Sequence, residues 1–182
     1  MNDLIRKIND LATSKNVILS GLAYSFSILL MIIFFLPRLN SYSAPVILDL
    51  SFNYNPDYAY KLLKALGSDG RNFYIFSLYL DFIYLIIYTI FLTLSAAYLL
   101  KKTDSDNKPI FYTVLIIPAV GLMDFIENIC ILNIIFSFPA KNDLLVKAAN
   151  IATMSKWLIF IPVCIYLASL TFYKIFRSLK KR

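Results

Sequence analysis

Residues 109–138 read PIFYTVLIIPAVGLMDFIENICILNIIFSF, a run of 30 residues with no basic side chain and only two acidic ones, Asp124 and Glu127. A helix of about 20 mainly apolar residues crosses about 30 Å of hydrocarbon. This run exceeds that length, so it can tilt or project beyond the hydrocarbon. It therefore predicts a membrane-spanning helix, and the rest of the chain follows the same plan.

Three further runs have the same character, at residues 17–36, 73–100 and 148–176. The chain of 182 residues is 59% hydrophobic and 16% charged, whereas soluble domains are about 45–50% apolar. Four Gly, seven Pro and two Cys argue against a collagen-like fibre, a disordered chain and a disulfide scaffold. The sequence predicts an all-α polytopic membrane protein, a four-transmembrane-helix bundle that forms one membrane domain over residues 1–182.

The distribution of basic residues predicts the orientation of this bundle. Eleven Lys and Arg lie in the N-terminal segment, the connection before residue 109 and the C-terminal tail, against six in the other two connections. By the positive-inside rule both termini are expected in the cytoplasm, in a plasma or inner membrane. The basic tail 173–182 is interpreted as a topology anchor on anionic lipid. The first run is longer than the apolar part of a secretory signal and is interpreted as a retained helix.

The connection at residues 38–72 is predicted to form an extracytoplasmic cap, because it is too long for a simple connector. Asn55, Pro56 and Asp57 are typical of a helix start, and Gly67 of a helix end. Between them a short amphipathic helix is expected. Residues 48–55 alternate apolar and polar, which predicts a short strand, and residues 67–71 predict a turn. The short helix either gates the mouth of the bundle or rests at the membrane interface.

Four ionisable side chains interrupt the apolar runs: Asp81, Asp124, Glu127 and Lys156. Such groups are costly in hydrocarbon and normally face the interior of a bundle, where they mark function. Counted from the cap side at about 1.5 Å per residue, Asp81, Glu127 and Lys156 all lie roughly 12–15 Å deep. Three separate helices therefore place acid, acid and base at one level, which predicts a single buried cluster.

Helical spacing places aromatic and polar side chains beside these charges. They are Tyr84 and Tyr88 on the stripe of Asp81, Asn128 on the stripe of Asp124 and Glu127, and Trp157 on the stripe of Thr153 and Lys156. One Lys cannot neutralise three carboxylates, so at least one acid is expected to be protonated or to contact water. Interhelical hydrogen bonds and an ion pair that only hold the helices together are the structural alternative.

Several kinds of chemistry have no support in the composition. The chain has no His, the usual general base and the commonest metal and haem ligand. Cys130 and Cys164 form no C-x-x-C pair, and no nucleotide or nucleophile motif is present. The formal charge of +7 resides at the edges of the apolar runs, which favours membrane lipids over nucleic acid as the partner. No metal and no cofactor is expected.

A set of short patterns resembles four-helix microbial membrane proteins that have no assigned activity. They are Pro45-x-x-Leu-Asp49, Tyr54-x-Pro-x-x-Ala-Tyr60 with Leu66-Gly-x-x-Gly-Arg71, the buried Asp81, Asp124-x-x-Glu-Asn128 and Lys156-Trp157. The plan is also similar, more distantly, to the EXPERA proteins, which include sterol isomerases and the sigma-2 receptor. That resemblance implies a sterol- or lipid-sized cavity in which Asp81 or Glu127 meets a cationic or polar group.

These observations predict that the protein binds or processes a small amphiphile in a buried polar pocket open to the outer leaflet. Asp81, Glu127 and Asp124 are the candidate groups for anchoring or protonating the polar head, and whether the protein is an enzyme is left open. Lys156 is expected to pair with a carboxylate or with an anionic group of the ligand. Two alternatives remain, a proton- or ion-coupled transporter or channel component, and a non-catalytic subunit whose charges engage another membrane protein.

Overall fold

A computed structural model describes residues 2–42, 46–101 and 107–180. Within these ranges the chain forms helices and no strand. In chain order the elements are α1 (Asn2–Leu11), α2 (Ser14–Leu30), a π-helical turn (Met31–Phe35), α3 (Leu36–Asn40), a 3₁₀ turn (Leu48–Leu50), α4 (Pro56–Lys101), α5 (Asn107–Ser137) and α6 (Asp143–Leu179).

Four helical stretches of the described chain are long and apolar enough to cross a membrane. They are Ser14–Asn40, Pro56–Lys101, Ile116–Ser137 and Asp143–Arg177. The predicted set of four apolar helices is therefore confirmed, although each helix in the structure begins or ends some residues away from its predicted bounds. We call Ser14–Asn40, which joins α2, the π-helical turn and α3, the first span.

The π-helical turn has a cause in the sequence. Pro37 lacks an N–H group, so the carbonyl of Ile33 has no donor four residues later, and the proline ring crowds that carbonyl. The chain widens just before this point, where the N–H of Leu36 bonds to the carbonyl of Met31, five residues back. A hydrogen bond from an N–H group to the carbonyl five residues earlier defines the π-helix, which occurs mostly as single turns.

The predicted strand at residues 48–55 is wrong. The segment at residues 46–55, which we call the strap, contains the 3₁₀ turn Leu48–Leu50 and otherwise irregular chain. Leu48 is fully buried, and its N–H bonds to the hydroxyl of Tyr74 rather than to another strand. The alternation of apolar and polar residues thus comes from a strap that is packed against a helix bundle on one side.

The predicted amphipathic helix and its end at Gly67 are present, whereas the predicted turn at residues 67–71 is limited to that glycine. The helix is the first arm of α4, and Gly67 (φ 64°, ψ −172°) forms a non-helical kink from which a second helical arm continues to Lys101. Gly70 serves packing instead of a turn, because a Cβ there would lie 3.0 Å from Leu66. The second long helix therefore follows the first arm directly and starts before residue 73.

Helix α1 was not predicted, although its spacing of apolar residues is helical. Ile5 and Ile8 pack against Leu100 of α4 and Leu170 of α6, at the end of the bundle away from the strap. The described part of the N-terminal segment is therefore a docked amphipathic helix that covers this end of the bundle.

The core lies between α4, α5 and α6, and the first span packs on α4. Its largest cluster surrounds the strap and the first arm of α4, with Leu48, Leu62, Tyr74 and Ile131 fully buried. Helices α4 and α5 approach closely at Gly121, where a Cβ would lie 2.6 Å from Thr89 Oγ1. This approach sets the spacing of the two helices next to the polar residues described below.

Candidate functional site

Lys156 of α6 lies between two carboxylates of α5. Its Nζ is 2.9 Å from Asp124 Oδ1 and 2.5 Å from Glu127 Oε2. The acids are three residues apart, which places them on one face of α5. The side chains of Lys156, Asp124 and Glu127 are 11%, 6% and 0% exposed. The structure thus brings together three of the four predicted ionisable residues, and we call them the ion cluster.

Both carboxylates of the ion cluster also accept a hydrogen bond from a hydroxyl group. Tyr88 donates to Asp124 Oδ2 over 2.9 Å, and Thr153 donates to Glu127 Oε1 over 2.7 Å. Burial of an ionised group is costly unless the group is both paired and hydrogen-bonded. Since Lys156 donates to Asp124 and also contacts Glu127, its charge is already balanced by the protein.

Asp81, the fourth predicted residue, is joined to α5 through the amide of Asn128. Asn128 is fully buried and donates from Nδ2 to Asp81 Oδ2 over 2.6 Å, which ties α5 to α4. Within the described ranges, no Lys or Arg side chain lies within ion-pair distance of Asp81. The Asp81 carboxylate is therefore held in position without a cation to balance it.

Asp49 is a further acid of the site that the sequence did not reveal. The hydroxyl of Tyr74 accepts from the N–H of Leu48 over 3.2 Å and donates to Asp49 Oδ1 over 2.6 Å. The strap thereby turns Asp49 towards the interior of the bundle. Burial raises the pKa of Asp49 above its ordinary value of 3.8, against the opposing effects of the Tyr74 hydrogen bond and the Lys156 charge.

A cavity of about 310 Å³ lies between the first span, the strap and helices α4 to α6. Its polar lining residues all lie on the strap and on helices α4 to α6, and we call them the acidic wall: Asp49, Ser77, Asp81, Tyr84, Tyr88, Asp124, Lys156 and Trp157. The first span lines the cavity with apolar side chains alone, which are Ile28, Met31, Ile32, Phe35, Leu36 and Leu39, and the other elements add Ile47, Leu50, Leu78 and Phe160. Six of the eight predicted binding residues line the cavity, whereas Glu127 and Asn128 lie behind its wall.

The charges around this cavity do not cancel. Asp49, Asp81, Asp124 and Glu127 supply four carboxyl groups, and Lys156 is the one cation among the lining residues. Lys156 is held by Asp124 and Glu127, so the cavity presents Asp49 and Asp81 to whatever occupies it. A carboxylate at the edge of a mainly apolar cavity is little screened by water and salt, so its attraction for a nearby positive charge is strong. This favours a cationic ligand.

Clustered acids can also chelate a metal ion, but the acids of the described residues are not grouped for this. The described ranges contain no group of three or more Cys, Asp or Glu side chains that is arranged to hold a metal ion. An organic ammonium ion donates separate hydrogen bonds, so it can use acceptors such as Asp49 and Asp81 that are not grouped around one point.

No protein-family model, curated protein or solved structure matches this chain. The interpretation of the site therefore rests on its own geometry.

Proposed function

We propose that this protein is an integral membrane protein that binds a small amphiphile in the cavity, with the polar head at the acidic wall and the hydrocarbon tail against the first span. The four long apolar helices support the membrane assignment. The first span lines the cavity with apolar side chains alone, whereas the polar lining residues lie on the strap and on helices α4 to α6, and this supports an occupant with a polar head and an apolar tail.

The head of the amphiphile is cationic in this proposal. The observation that carries it is that the cation of the site has counter-ions within the protein and two of its acids do not. Lys156 is neutralised by Asp124 and Glu127, whereas Asp49 and Asp81 face the cavity without a cation. A ligand with an anionic head would have to displace Asp124 or Glu127 from Lys156. A cationic head meets acceptors that are already oriented by Tyr74 and Asn128.

The size of the cavity restricts the tail. A volume of about 310 Å³ lies at the lower end of the roughly 300–1,000 Å³ that is typical of small-molecule pockets. A phospholipid with two acyl chains is too large to be enclosed. A single-chain amine, or a compact ring system with an amine, fits within the walls or projects partly from them.

Trp157 makes the proposal directly testable, because it is the one Trp of the chain and lines the cavity. A bromine at the end of an alkyl chain quenches indole fluorescence on contact. We expect 12-bromododecylammonium to quench Trp157 saturably and 12-bromododecanoate to do so much more weakly. Asp81→Asn should weaken the binding of the cation by about tenfold or more, the value of a hydrogen bond to a charged group.

Asp69→Asn, at an exposed acid of the same helix, is the matched control and should bind as the unchanged protein does. Equal, non-saturable quenching by the cation and the anion would show partition into the bilayer instead of binding and would contradict the proposal.

A second candidate function is proton- or ion-coupled transport, and one observation favours it. A chain of polar contacts runs from the strap through Tyr54, Thr153 and Glu127 to Lys156 and Asp124. Burial raises the pKa of Tyr54 above its ordinary value of 10.0, so its hydroxyl keeps its proton. Continuous chains of this type are used in proton relays of transporters.

Vesicles that contain the purified protein and a pH-sensitive dye test this second function. Acidification driven by an imposed potential, and lost in Asp124→Asn, would favour transport over binding. An equal rate in protein-free vesicles and in vesicles with the unchanged protein would rule it out.

A further inference from the structure

We infer that the first span is a lateral gate of the cavity, and that the amphiphile reaches its site from the bilayer by passing between the first span and α6. This inference rests on the proposed binding function and adds the route and the source of the ligand.

The first span is attached to the bundle mainly on one side. It packs on α4, and no residue of α2 or of the π-helical turn is buried. Trp157 and Phe160 of α6 line the same cavity as the first span. The seam between the first span and α6 therefore runs along the cavity and is closed by few contacts.

Along its length the first span is held by aromatic contacts on either side of the cavity. On one side Tyr24 stacks on Phe91 with ring centroids 5.2 Å apart, and on the other side Phe35 stacks on Phe73 at 5.6 Å. Between these contacts Ile28 and Ile32 face the cavity instead of a packed neighbour. This part of the wall can move without loss of core packing.

The π-helical turn lies in this same stretch. Its hydrogen bonds join residues that are five apart in the chain, instead of four apart as in an α-helix. Such turns often occur at functional sites. A return to α-helical bonding rotates the residues on one side of the turn relative to the other. Met31 and Ile32 would then leave the wall of the cavity, which is the movement that a gate requires.

The strap offers no comparable route from the aqueous side. Leu48 and Tyr74 are fully buried, and Tyr74 ties the strap to α4 through Leu48 and Asp49. Asn150 of α6 accepts from the N–H of Tyr54 over 2.9 Å. The strap is thus fixed to two helices, whereas the first span is held chiefly by one.

Stopped-flow quenching of Trp157 by 12-bromododecylammonium, delivered from vesicles, measures how fast the gate operates. Phe73→Ala removes the stacking partner of Phe35 and should speed both association and dissociation by about two- to tenfold. Pro37→Ala restores the missing N–H donor and favours a regular α-helix, which is the open arrangement of the gate, so it should also speed both rates by a similar factor. Phe172→Ala removes an exposed aromatic ring of α6 and should leave the rates unchanged.

Tyr74→Phe releases the strap and tests the opposite route. If it accelerates association while Phe73→Ala and Pro37→Ala leave the rates unchanged, the ligand passes the strap and the gate is overturned. Wild-type rates in all three variants overturn it as well. Absence of saturable quenching in the unchanged protein would instead refute the proposed binding function itself.

Discussion

Lys156 is the residue on which the charge balance of the interior depends. It is the cation that Asp124 and Glu127 share, and all three side chains are almost fully buried. Lys156→Met leaves two carboxylates without a counter-ion and should destabilise the protein by about 3–5 kcal/mol. Thermal unfolding in detergent measures this loss, with Lys147→Met, an exposed residue of the same helix, as the control that should change little.

The triple variant Lys156→Met, Asp124→Asn and Glu127→Gln separates charge imbalance from lost packing. Replacement of a whole buried ion cluster by neutral groups of similar shape is often close to neutral. The triple variant should therefore regain most of the stability lost in Lys156→Met. A triple variant no more stable than the single one would show that the ion cluster is needed as such.

Asp49 makes stability depend on pH in a definite direction. Because burial raises its pKa above 3.8, the folded protein holds this proton more tightly than the unfolded chain does. The free energy of unfolding therefore decreases as the pH rises above about 4, until the raised pKa is passed. Asp49→Asn should be less sensitive to pH over this range in thermal unfolding, and Asp69→Asn should keep the original dependence. Parallel curves for Asp49→Asn and the unchanged protein would contradict this assignment.

The sequence predicted four of the five ionisable residues of the site because each interrupts an apolar run. Asp81, Asp124, Glu127 and Lys156 are conspicuous for that reason. Asp49 lies in a connection that is rich in polar residues, where one more acid carries no signal. Only the folding of the strap onto Tyr74, a contact 25 residues away, turns Asp49 inwards, and no local pattern encodes that contact.

At the scale of the element, Gly67 decides the path of α4. Its φ of 64° and ψ of −172° lie in a region that essentially only glycine occupies. Nothing lies within 4 Å of a Cβ added there, so the cost of substitution comes from the backbone alone. Gly67→Ala should destabilise the protein by about 1–3 kcal/mol in thermal unfolding.

Gly67→Asn refines this prediction. Asn tolerates the ordinary left-handed helical conformation but not the region that Gly67 occupies. It should therefore cost as much as Ala, and Ser68→Ala, at the exposed helical neighbour, should cost little. A clearly smaller loss for Asn than for Ala would show that Gly67 adopts an ordinary helix-ending conformation instead.

The presence of the four long helices and the break at Gly67 were predictable, whereas the helical course of residues 68–72 and the π-helical turn were not. Length and hydropathy alone identify an apolar helix, so the four long helices follow from the sequence. A segment with two glycines such as 67–71 predicts a turn, and only the close packing of Gly70 on Leu66 shows that the chain is helical there. The π-helical turn has a local cause in Pro37, but a proline alone does not specify whether a helix kinks, ends or widens.

At the scale of the whole molecule, a lone protein that binds an amphiphile differs from a subunit of a larger complex. The ion cluster is satisfied within the chain, because Lys156 contacts Asp124 and Glu127 in place of a partner. This favours a protein that is stable by itself. We therefore expect the purified protein to remain folded as a monomer in mild detergent, and aggregation without a second membrane protein would favour the subunit hypothesis.

Orientation in the membrane determines which leaflet the cavity faces, and the distribution of basic residues predicts that both termini are cytoplasmic. In a background with Cys130→Ala and Cys164→Ala, single cysteines at the exposed positions Lys61, Lys141 and Arg177 report the side of each segment. A membrane-impermeant maleimide should label Lys61→Cys and Lys141→Cys in intact cells, and Arg177→Cys only after lysis. The strap and the acidic wall lie towards the end of the bundle that carries residues 61 and 141, so this pattern would place the source of the amphiphile in the outer leaflet. The reverse pattern would overturn the charge-based orientation, leave the geometry of the cavity unchanged and direct the search for the ligand to cytoplasmic lipids.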